Sequence, residues 1–397
     1  MAKFLFIVPP FWGHINPTLS LGISLLEKGH QVGWVSITDF SYLLPDEAIF
    51  YQIEKEKYKT KEDEKKYLEE MFKDIPRTFG LKSVKVLFED VLVPLARYMS
   101  KHIPEYIEAF KPDVIISDHQ AFAGAIYAYK NKIPYVTSLS APTAIMPSEE
   151  YPKFVEWEAS KVVGLQQELG VLTDQPIVCS ETLSMVFASS MFLGANDLDK
   201  RYQFFGPSIG KRPSDMEFDF DRLQKSNHKK ILVSIGTIFP SEIMKDFLSK
   251  VIAVMGNTDT IVVVISDPDL FEEWPDNFIV QKRIPQLEVL PYLDGVVCHA
   301  GYNTVSESIA NGLPLVVLPI AFDQSRVAER VDALGCGIRL RFKRLKEEEL
   351  ETAITSILTN ASYRMAAENV RDSFVATGGI EAAVKQLERL VPQQVAL

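Results

Sequence analysis

Two titratable side chains in the N-terminal half stand where a proton could be moved. His14 lies in "PPFWGHINP", after an apolar strand and before a helix that Asn16 as N-cap and Pro17 as N1 predict to begin at about Pro17. Ligands bind at such strand ends in doubly wound sheets. Because a helix N-terminus disfavours imidazolium, a neutral His14 could accept a proton as a general base. The alternative is a histidine that only hydrogen-bonds its own loop.

Asp118 occupies a similar place in the chain. It ends the apolar run "VIISD", again at the carboxyl end of a predicted strand. Since two such ends can lie side by side, its carboxylate could orient His14 and stabilise the imidazolium form. Capping the following helix explains an aspartate here equally well. His119 follows at the same strand end and is expected to line the same ligand-binding edge.

The stretch "VVCHAGYNTVSESIANG" predicts an anion site. A buried strand ends at Cys298, a turn of small residues follows, and a helix is expected to start near Thr304. Free N–H groups at a helix N-terminus bind phosphate, and Gly301 would let the backbone approach a ligand closely. His299 and Asn303 could add donors to that of Thr304. The alternative is a capping box formed by Thr304 and Glu307.

Further polar turns follow other strands of the same half. "SIGT" ends one strand at Ser234 and Thr237, and Arg283 in "RIPQ" could stack on a base. Asp323 and Gln324 form a carboxylate–amide pair of the kind that holds sugar hydroxyls. Each signal is weak alone, but all lie in βα loops of one predicted domain. Together they favour a nucleotide-sugar site.

Two series of alternating strands and helices carry these residues. The first series fills the N-terminal half, and the second runs from "KILVSIGT" to "CGIRLRF". The pattern predicts an α/β protein with two Rossmann-like, doubly wound domains facing a cleft. We expect the domains at 1–210 and 229–380, a linker at 211–228, and a C-terminal helix at 381–397 packing on the first domain. Residues 50–80 are rich in Lys and Glu and are expected to be solvated.

Composition excludes several classes of protein. The 397 residues are 47% apolar and 24% charged, with a formal net charge of −11 at pH 7, which disfavours nucleic acids and anionic membranes. Three scattered cysteines imply neither a disulfide framework nor a zinc cluster. With no signal peptide or membrane span recognised, a cytoplasmic protein that is a monomer or weak homodimer is expected.

The motifs resemble those of a known family. "RIPQLEVLPYLDGVVCHAGYNTVSESIANGLPLVVLPIAFDQ" is similar to the nucleotide-sugar signature of family 1 glycosyltransferases, the UDP-glycosyltransferase superfamily with the GT-B fold. "VPPFWGHINPTLSLGISLLEKGH", "FFGP" and "SIGT" extend the likeness along the chain. "LPIAFDQSRVAERVDALGCGIRL" and "GGIEAAV" bring it nearest to bacterial zeaxanthin glucosyltransferases and to macrolide or antibiotic glycosyltransferases.

The resemblance implies an inverting hexose transfer, with UDP-glucose or a TDP-sugar as co-substrate and a lipophilic small molecule as acceptor. His14 would deprotonate the acceptor and Asp118 would orient it; no metal or other cofactor is implied. The implied donor-binding residues are Ser234, Thr237, Arg283, Ile284, Gln286, His299, Gly301, Asn303, Thr304, Glu307, Asp323 and Gln324. Arg283 departs from the tryptophan that the family often has under the base.

Other interpretations remain open at this point. Phe11, Trp12 and His119 are candidates for the acceptor pocket, although ordinary core packing explains the two aromatic side chains as well. "DPD" at 267–269 resembles a metal-binding D-x-D, but its proline indicates a turn or helix cap. A sugar-nucleotide 2-epimerase of the same fold and a catalytically inactive nucleotide-sugar binding protein are the alternative functions.

Overall fold

A computed structural model describes residues 1–53, 81–145, 152–195, 197–210, 216–236 and 241–391. The chain forms two compact units, and it enters the second after residue 213 and returns to the first at Val375. The predicted linker at 211–228 is described only from residue 216 onwards and includes a short helix, Phe220–Gln224. The C-terminal segment that belongs to the first unit therefore begins before residue 381, the predicted start of the C-terminal helix. Helical residues on both sides of Gly378 belong to that unit.

The first unit is built on a parallel sheet. Its described strands are β1 Lys3–Ile7, β2 Gln31–Ser36, β3 Ile49–Gln52, β4 Val114–Asp118, β5 Tyr135–Leu139, β6 Ser184–Val186 and β7 Tyr202–Phe204. They lie in the order β3-β2-β1-β4-β5-β6-β7. Strands β1 and β4 are neighbours with Ile7 opposite Ser117, so the loops that follow them emerge side by side. Both strands are almost entirely buried, as their apolar runs predict.

Helices cover both faces of this sheet. They are α1 Trp12–Glu27, α2 Leu81–Val86, α3 Val93–Phe110, α4 Phe122–Lys130, α5 Pro152–Glu168 and α6 Ser190–Leu193, with 3₁₀ turns at Ser41–Leu43 and Pro142–Ile145. The apolar side of α1 packs on one face, and α3 and α4 pack on the other. The two faces form separate apolar cores in the same unit.

Helix α1 begins earlier than the Asn16–Pro17 pattern predicts. Phe11 is its N-cap, and Pro17 lies inside the helix. A proline at that position gives up the hydrogen bond to the carbonyl of Gly13. His14 consequently sits in the first turn of the helix, with its backbone N–H donating to the carbonyl of Phe11 at 2.8 Å. Gly29, at φ 81°, ends the helix as predicted.

A long helical segment runs from residue 81 to residue 110. A π-helical stretch, Leu87–Leu92, joins α2 to α3. Pro94 lies in the first turn of α3, directly after the π-helical stretch. Pro104 lies inside α3, which continues through it to Phe110. Most of predicted segment 50–80 lies outside the described residues.

The second unit repeats the architecture with a second parallel sheet. Its described strands are β8 Lys230–Ser234, β9 Ile261–Ile265, β10 Phe278–Gln281, β11 Gly295–Cys298, β12 Leu315–Val317 and β13 Gly337–Arg339, in the order β10-β9-β8-β11-β12-β13. Cys298 lies opposite Ser234, so the turns after β8 and β11 are adjacent.

The remaining helices complete both units. They are α7 Phe220–Gln224, α8 Ser241–Met255, α9 Gln286–Val289, α10 Tyr302–Ala310, α11 Gln324–Ala333, α12 Glu347–Thr359, α13 Ala361–Val375 and α14 Gly379–Leu390, with 3₁₀ turns at Pro268–Leu270, Leu290–Tyr292 and Phe342–Arg344. Helix α14 returns to the first unit and packs against α1 there. None of the helices in the described ranges combines the length and apolar character needed to cross a membrane.

Candidate functional site

The carboxyl end of the first sheet brings His14 and Asp118 together. The His14 Nδ1 atom lies 2.8 Å from Asp118 Oδ1, across a sequence separation of 104 residues. Asp118 is buried, whereas the His14 side chain keeps 12% of its surface exposed. The helix that follows is capped at Ala121 rather than by the Asp118 side chain. The carboxylate therefore holds the imidazole, while its Oδ1 also accepts the backbone N–H of Gln120 at 2.9 Å.

Ser140 is a third member of this arrangement that the sequence did not reveal. Its hydroxyl donates to Asp118 Oδ2 at 2.7 Å, and its Oγ lies 2.7 Å from His14 Nδ1. Since the single hydroxyl proton points at the carboxylate, His14 Nδ1 must be the N–H donor toward Ser140 and Asp118. That assigns the lone pair to Nε2, the nitrogen a general base would use. Ser140 follows β5 directly, and β5 lies beside β4; this neighbour relation is the only signal that could have pointed to it.

The charge state of Asp118 supports the same assignment. Burial alone would raise the pKa of this carboxyl group. The imidazoles of His14 and His119 and the hydrogen bonds around it outweigh burial and hold the pKa well below its usual value. Asp118 is therefore a buried carboxylate anion, able to stabilise a cationic His14.

His119 is packed against the same pair. Its ring stacks on that of His14, with centroids 5.4 Å apart and an interplanar angle of 26°. Its Nδ1 lies 3.4 Å from Asp118 Oδ1. The side chain is 8% exposed, so it contributes little surface of its own to a pocket.

The predicted aromatic residues lie on the other side of His14. The Phe11 ring meets the His14 imidazole edge-on at 5.7 Å. Trp12 is the first residue of α1 and is 36% exposed. Phe11 also packs against the core beneath α3 and α4, so it braces the base and presents an apolar edge beside it.

In the second unit, Ser234 and His299 face each other at neighbouring strand ends. The backbone N–H of His299 donates to the Ser234 carbonyl at 3.3 Å, and its Nδ1 lies 3.4 Å from the same oxygen. Burial lowers the pKa of His299 to about 4, although the Ser234 contact opposes the shift. His299 is therefore a neutral ring at physiological pH, and since a carbonyl oxygen only accepts, its one N–H is the Nδ1–H that faces Ser234.

The turn after His299 shows why small residues stand there. Ala300 adopts a left-handed conformation at φ 63°, and Gly301 is the N-cap of α10. A Cβ at Gly301 would lie 2.6 Å from the His299 Nε2 atom, so the ring can occupy its place only over a glycine. Gly301 therefore lies against the His299 ring, and its close approach to a ligand stays a prediction.

Helix α10 begins at Tyr302, two positions earlier than predicted. The left-handed conformation of Ala300 turns the chain directly into the helix. The first helical hydrogen bond runs from the N–H of Val305 to the Gly301 carbonyl, at 3.0 Å. Asn303 and Thr304 consequently lie inside the first turn, so the capping box proposed for Thr304 and Glu307 is not formed. The N-terminus of a helix is suited to an anion, because its N–H groups point along the axis toward a ligand.

Glu307 and Gln286 are joined directly. The Gln286 Nε2 amide donates to Glu307 Oε2 at 2.6 Å, which links the segment after β10 to helix α10. Glu307 is buried, and Ile284 is buried beside the start of α9, whereas Arg283 is exposed. Arg283 precedes this pair in the chain by three residues, at an exposed position.

Asp323 and Gln324 sit at the start of α11, after β12. Gln324 Oε1 accepts the backbone N–H groups of Ile320 and Ala321, each at 2.8 Å. Its carbonyl is committed to the loop, which leaves only its amide hydrogens for a sugar hydroxyl. Asp323 is the N-cap residue of α11 and half-buried.

Two further sequence predictions have different outcomes. Thr237 lies outside the described residues. In "DPD", Asp267 caps the turn Pro268–Leu270 by accepting the Asp269 N–H at 3.1 Å, and its carboxylate pairs with Lys282 at 3.0 Å. The predicted turn is confirmed, and the two aspartates serve structure there.

Comparisons with known proteins agree with this geometry. Residues 249–390 match the family described as erythromycin biosynthesis protein CIII-like, C-terminal domain. The NDP-glycosyltransferase YjiC of Bacillus subtilis is 29% identical over 96% of this chain and 95% of its own length. The 4'-demethylrebeccamycin synthase of Lentzea aerocolonigenes is 24% identical over 98% of this chain and all of its own.

Solved structures share the fold. The glycotransferase of kitacinnamycin superposes with a TM-score of 0.75 at 21% identity, covering 98% of this chain and 99% of its own. The α/β architecture of two Rossmann-like sheets is therefore the GT-B fold. These comparisons lend no support to the epimerase alternative.

Proposed function

We propose that the chain is a GT-B glycosyltransferase of family 1, the UDP-glycosyltransferase superfamily, on the strength of these similarities. We propose that it transfers a hexose, with inversion, from a nucleoside diphosphate sugar to a hydroxyl group of a lipophilic natural product. Glucose from UDP-glucose is the donor we favour. The name of the Lentzea relative, a synthase of a rebeccamycin-type compound, supports a natural-product acceptor.

In this proposal His14 is the general base. The hydrogen bond from its Nδ1 toward Asp118 at 2.8 Å leaves Nε2 free to take the proton of an acceptor hydroxyl. As the proton arrives, the ring becomes cationic next to the buried carboxylate of Asp118, which stabilises the charge. The exposed edge of His14, flanked by Phe11 and Trp12, is where an apolar acceptor would present its hydroxyl.

The second unit holds the donor in this proposal. The acceptor oxygen attacks the anomeric carbon while the bond from that carbon to the β-phosphate oxygen breaks, and the electron pair leaves with the nucleoside diphosphate. The N–H groups at the start of α10 would meet the developing negative charge. These donors suffice for the leaving group, so we propose that transfer needs no metal ion.

The sugar and nucleoside follow from the remaining contacts. The Gln286–Glu307 pair would accept and donate hydrogen bonds at the ribose, and the Gln324 amide with Asp323 would hold sugar hydroxyls. Arg283 would stack on the base in place of tryptophan. Stacking does not select between uracil and thymine, so both UDP- and TDP-sugars belong in the test.

The observation that carries the proposal is the buried Asp118 carboxylate holding His14 in one tautomer. The test is release of nucleoside diphosphate from UDP-glucose and TDP-sugars, with and without a panel of lipophilic alcohols and phenols. We expect release that depends on an acceptor and continues in EDTA. His14→Ala should lower kcat by about 10²–10⁴-fold, the usual contribution of a general base.

His228→Ala is the matched control, because His228 is exposed in the second unit and its ring contacts the backbone carbonyl of Asp259. It should retain the wild-type rate. Acceptor-dependent release that survives in His14→Ala would overturn the assignment of the base. Failure of every donor and acceptor would favour an inactive nucleotide-sugar binding protein.

A further inference from the structure

His119 has a role that the proposed transfer does not require. Within the described residues neither ring nitrogen makes a hydrogen bond of good geometry, and only Nδ1 has a charged neighbour, Asp118 Oδ1 at 3.4 Å, although the side chain is only 8% exposed. Burying unbonded imidazole nitrogens costs free energy, and native proteins rarely leave such atoms without use. The ring is held where its Nδ1 faces the same Asp118 oxygen as His14 does.

Three ligand atoms converge at this point. His14 Nδ1 lies 2.8 Å and His119 Nδ1 lies 3.4 Å from Asp118 Oδ1, and each of the three residues has a ligand atom within 4.8 Å of one from the other two. For metal–ligand bonds of about 2.0–2.2 Å, these two separations subtend angles of about 80–90° and about 100–115° at an ion. The second angle is near the tetrahedral value, and the first reaches it if His14 and Asp118 move apart by roughly half an ångström as the ion enters.

We propose that His14, Asp118 and His119 form a binding site for a divalent transition-metal ion of the zinc type, which blocks the general base when it is bound. Two imidazoles and one carboxylate are the ligand set that such ions prefer. Mg²⁺ and Ca²⁺ prefer oxygen ligands and are not expected to bind.

The block follows from where the proton goes. An ion at His14 takes the lone pair of Nδ1, so the hydrogen that Nδ1 donated toward Asp118 must leave that atom. A neutral imidazole bound through Nδ1 carries its hydrogen on Nε2. Nε2 then has no lone pair with which to accept the acceptor's proton. The proposal that the ion binds does not depend on the proposed function, whereas the proposal that it inhibits transfer rests on that function.

The structure favours this site over the cysteines. Burial raises the pKa of Cys298 and of Cys336 to about 12, which keeps both as thiols, whereas a metal ion needs thiolate. The third cysteine, Cys179, also has a pKa raised by burial. Sulfur ligation can be recognised directly in the experiment.

The experiment measures the ion before it measures catalysis. Metal-free protein is titrated with Co²⁺, followed by its visible d–d absorption, and the ion is then displaced with Zn²⁺. We expect one ion per chain, and X-ray absorption of the zinc form should show nitrogen and oxygen neighbours without sulfur. His14→Gln and His119→Gln should each weaken metal binding by at least about 10–100-fold. That is the usual loss when a residue that only hydrogen-bonds a metal ligand is replaced, and here the ligand itself is removed.

His228→Gln is the matched control, since it removes an exposed histidine and should bind as wild type does. Circular dichroism establishes that each variant is folded, and the absorption spectrum of the wild type tests the site without any variant. Absence of binding, a sulfur shell, or equal affinity in all three variants would overturn the site.

The inhibition arm is read separately. Zn²⁺ should suppress acceptor-dependent release over the concentration range in which it displaces Co²⁺, and EDTA should restore the rate. Full activity of the zinc-loaded protein would show that the bound ion does not block the base, and the metal site itself would still stand. If the ion binds but no donor and acceptor ever react, the proposed function fails and the metal site stands.

Discussion

Ser140 shows how one hydroxyl can fix the state of a base. It accepts from His14 Nδ1 and donates to Asp118 Oδ2, each at 2.7 Å, so it closes a triangle around the pair. Without it, Asp118 loses one hydrogen bond and the imidazole loses one of the two acceptors that hold its tautomer. Ser140 is therefore a positioning residue, because it acts on the reaction through His14.

We expect Ser140→Ala to lower kcat by about 10–100-fold, since hydrogen bonds to charged groups contribute about 1.5–3 kcal/mol. The pH profile of kcat should change, the KM of the donor should not, and Ser140→Thr should restore most of the rate. Ser138→Ala is the control: its hydroxyl is buried, with no hydrogen-bond partner among the described residues. Equal kinetics for the two alanine variants would show that Ser140 has no part in positioning.

The start of helix α10 depends on a residue without a side chain. Gly301 lies against the His299 ring, and an added Cβ would come within 2.6 Å of Nε2. Real Cβ atoms do not approach so closely, so in Gly301→Ala the ring must move away from the helix N-terminus. We expect the KM of the nucleotide sugar to rise about tenfold or more, the cost of about one hydrogen bond to a charged group.

Gly164→Ala provides the comparison for that measurement. Gly164 is also a glycine at a helical position, in α5, and a Cβ there would meet nothing within 4 Å. Its donor KM should be unchanged and its stability slightly increased, because alanine favours helix. If Gly301→Ala has the wild-type KM for the nucleotide sugar, the position of the His299 ring has no part in binding the phosphates.

The elements themselves show what sequence could and could not provide. The apolar runs that became β1, β4, β8, β9 and β11 were predictable because both faces of a parallel strand are buried. The three-residue strands β6 and β7 are too short to carry such a signal. Helix α1 starts before the predicted Pro17, because a proline inside a helix removes one hydrogen bond and does not have to mark the first turn.

The residues of the site also differ in whether the sequence pattern alone could identify them. His14, Asp118 and His299 could be proposed because each ends a strand or begins a helix, positions that sequence pattern reveals. The hydrogen bond from Gln286 to Glu307 and the place of Ser140 depend on which strands are neighbours. Neighbour order in a parallel sheet is set by packing over the whole unit, and no local pattern encodes it.

At the scale of the whole molecule, the first unit is completed by the end of the chain. Helix α14 contributes Ala383, Val384 and Leu387 to the same apolar core as β1 and α1. Glu388 on its edge also contacts the ring of His30 at 3.1 Å, which sets the helix against the turn after α1. The core that supports His14 thus includes residues more than three hundred positions away.

We expect Leu387→Ala to lower the free energy of unfolding of the first unit by about 2–5 kcal/mol, as for other fully buried leucines. Leu172→Ala, at a leucine that is 88% exposed in the same unit, should change it by less than about 0.5 kcal/mol. Urea denaturation followed by tryptophan fluorescence measures both, since Trp34 is buried in that core. Similar values for the two variants would show that α14 is peripheral to the fold.

The return of the chain at Val375 has a consequence for recombination. All strands of the second sheet come from one uninterrupted stretch of the gene, between residues 230 and 339, whereas the first unit needs both ends of the sequence. A chimera made by a single crossover would pair one parent's β1 and α1 with the other parent's α14, and so mismatch a buried core. A double crossover, exchanging the inner stretch as a cassette between residues 213 and 375, keeps that core from one parent. Evolution or design can therefore exchange donor preference most readily as an insert.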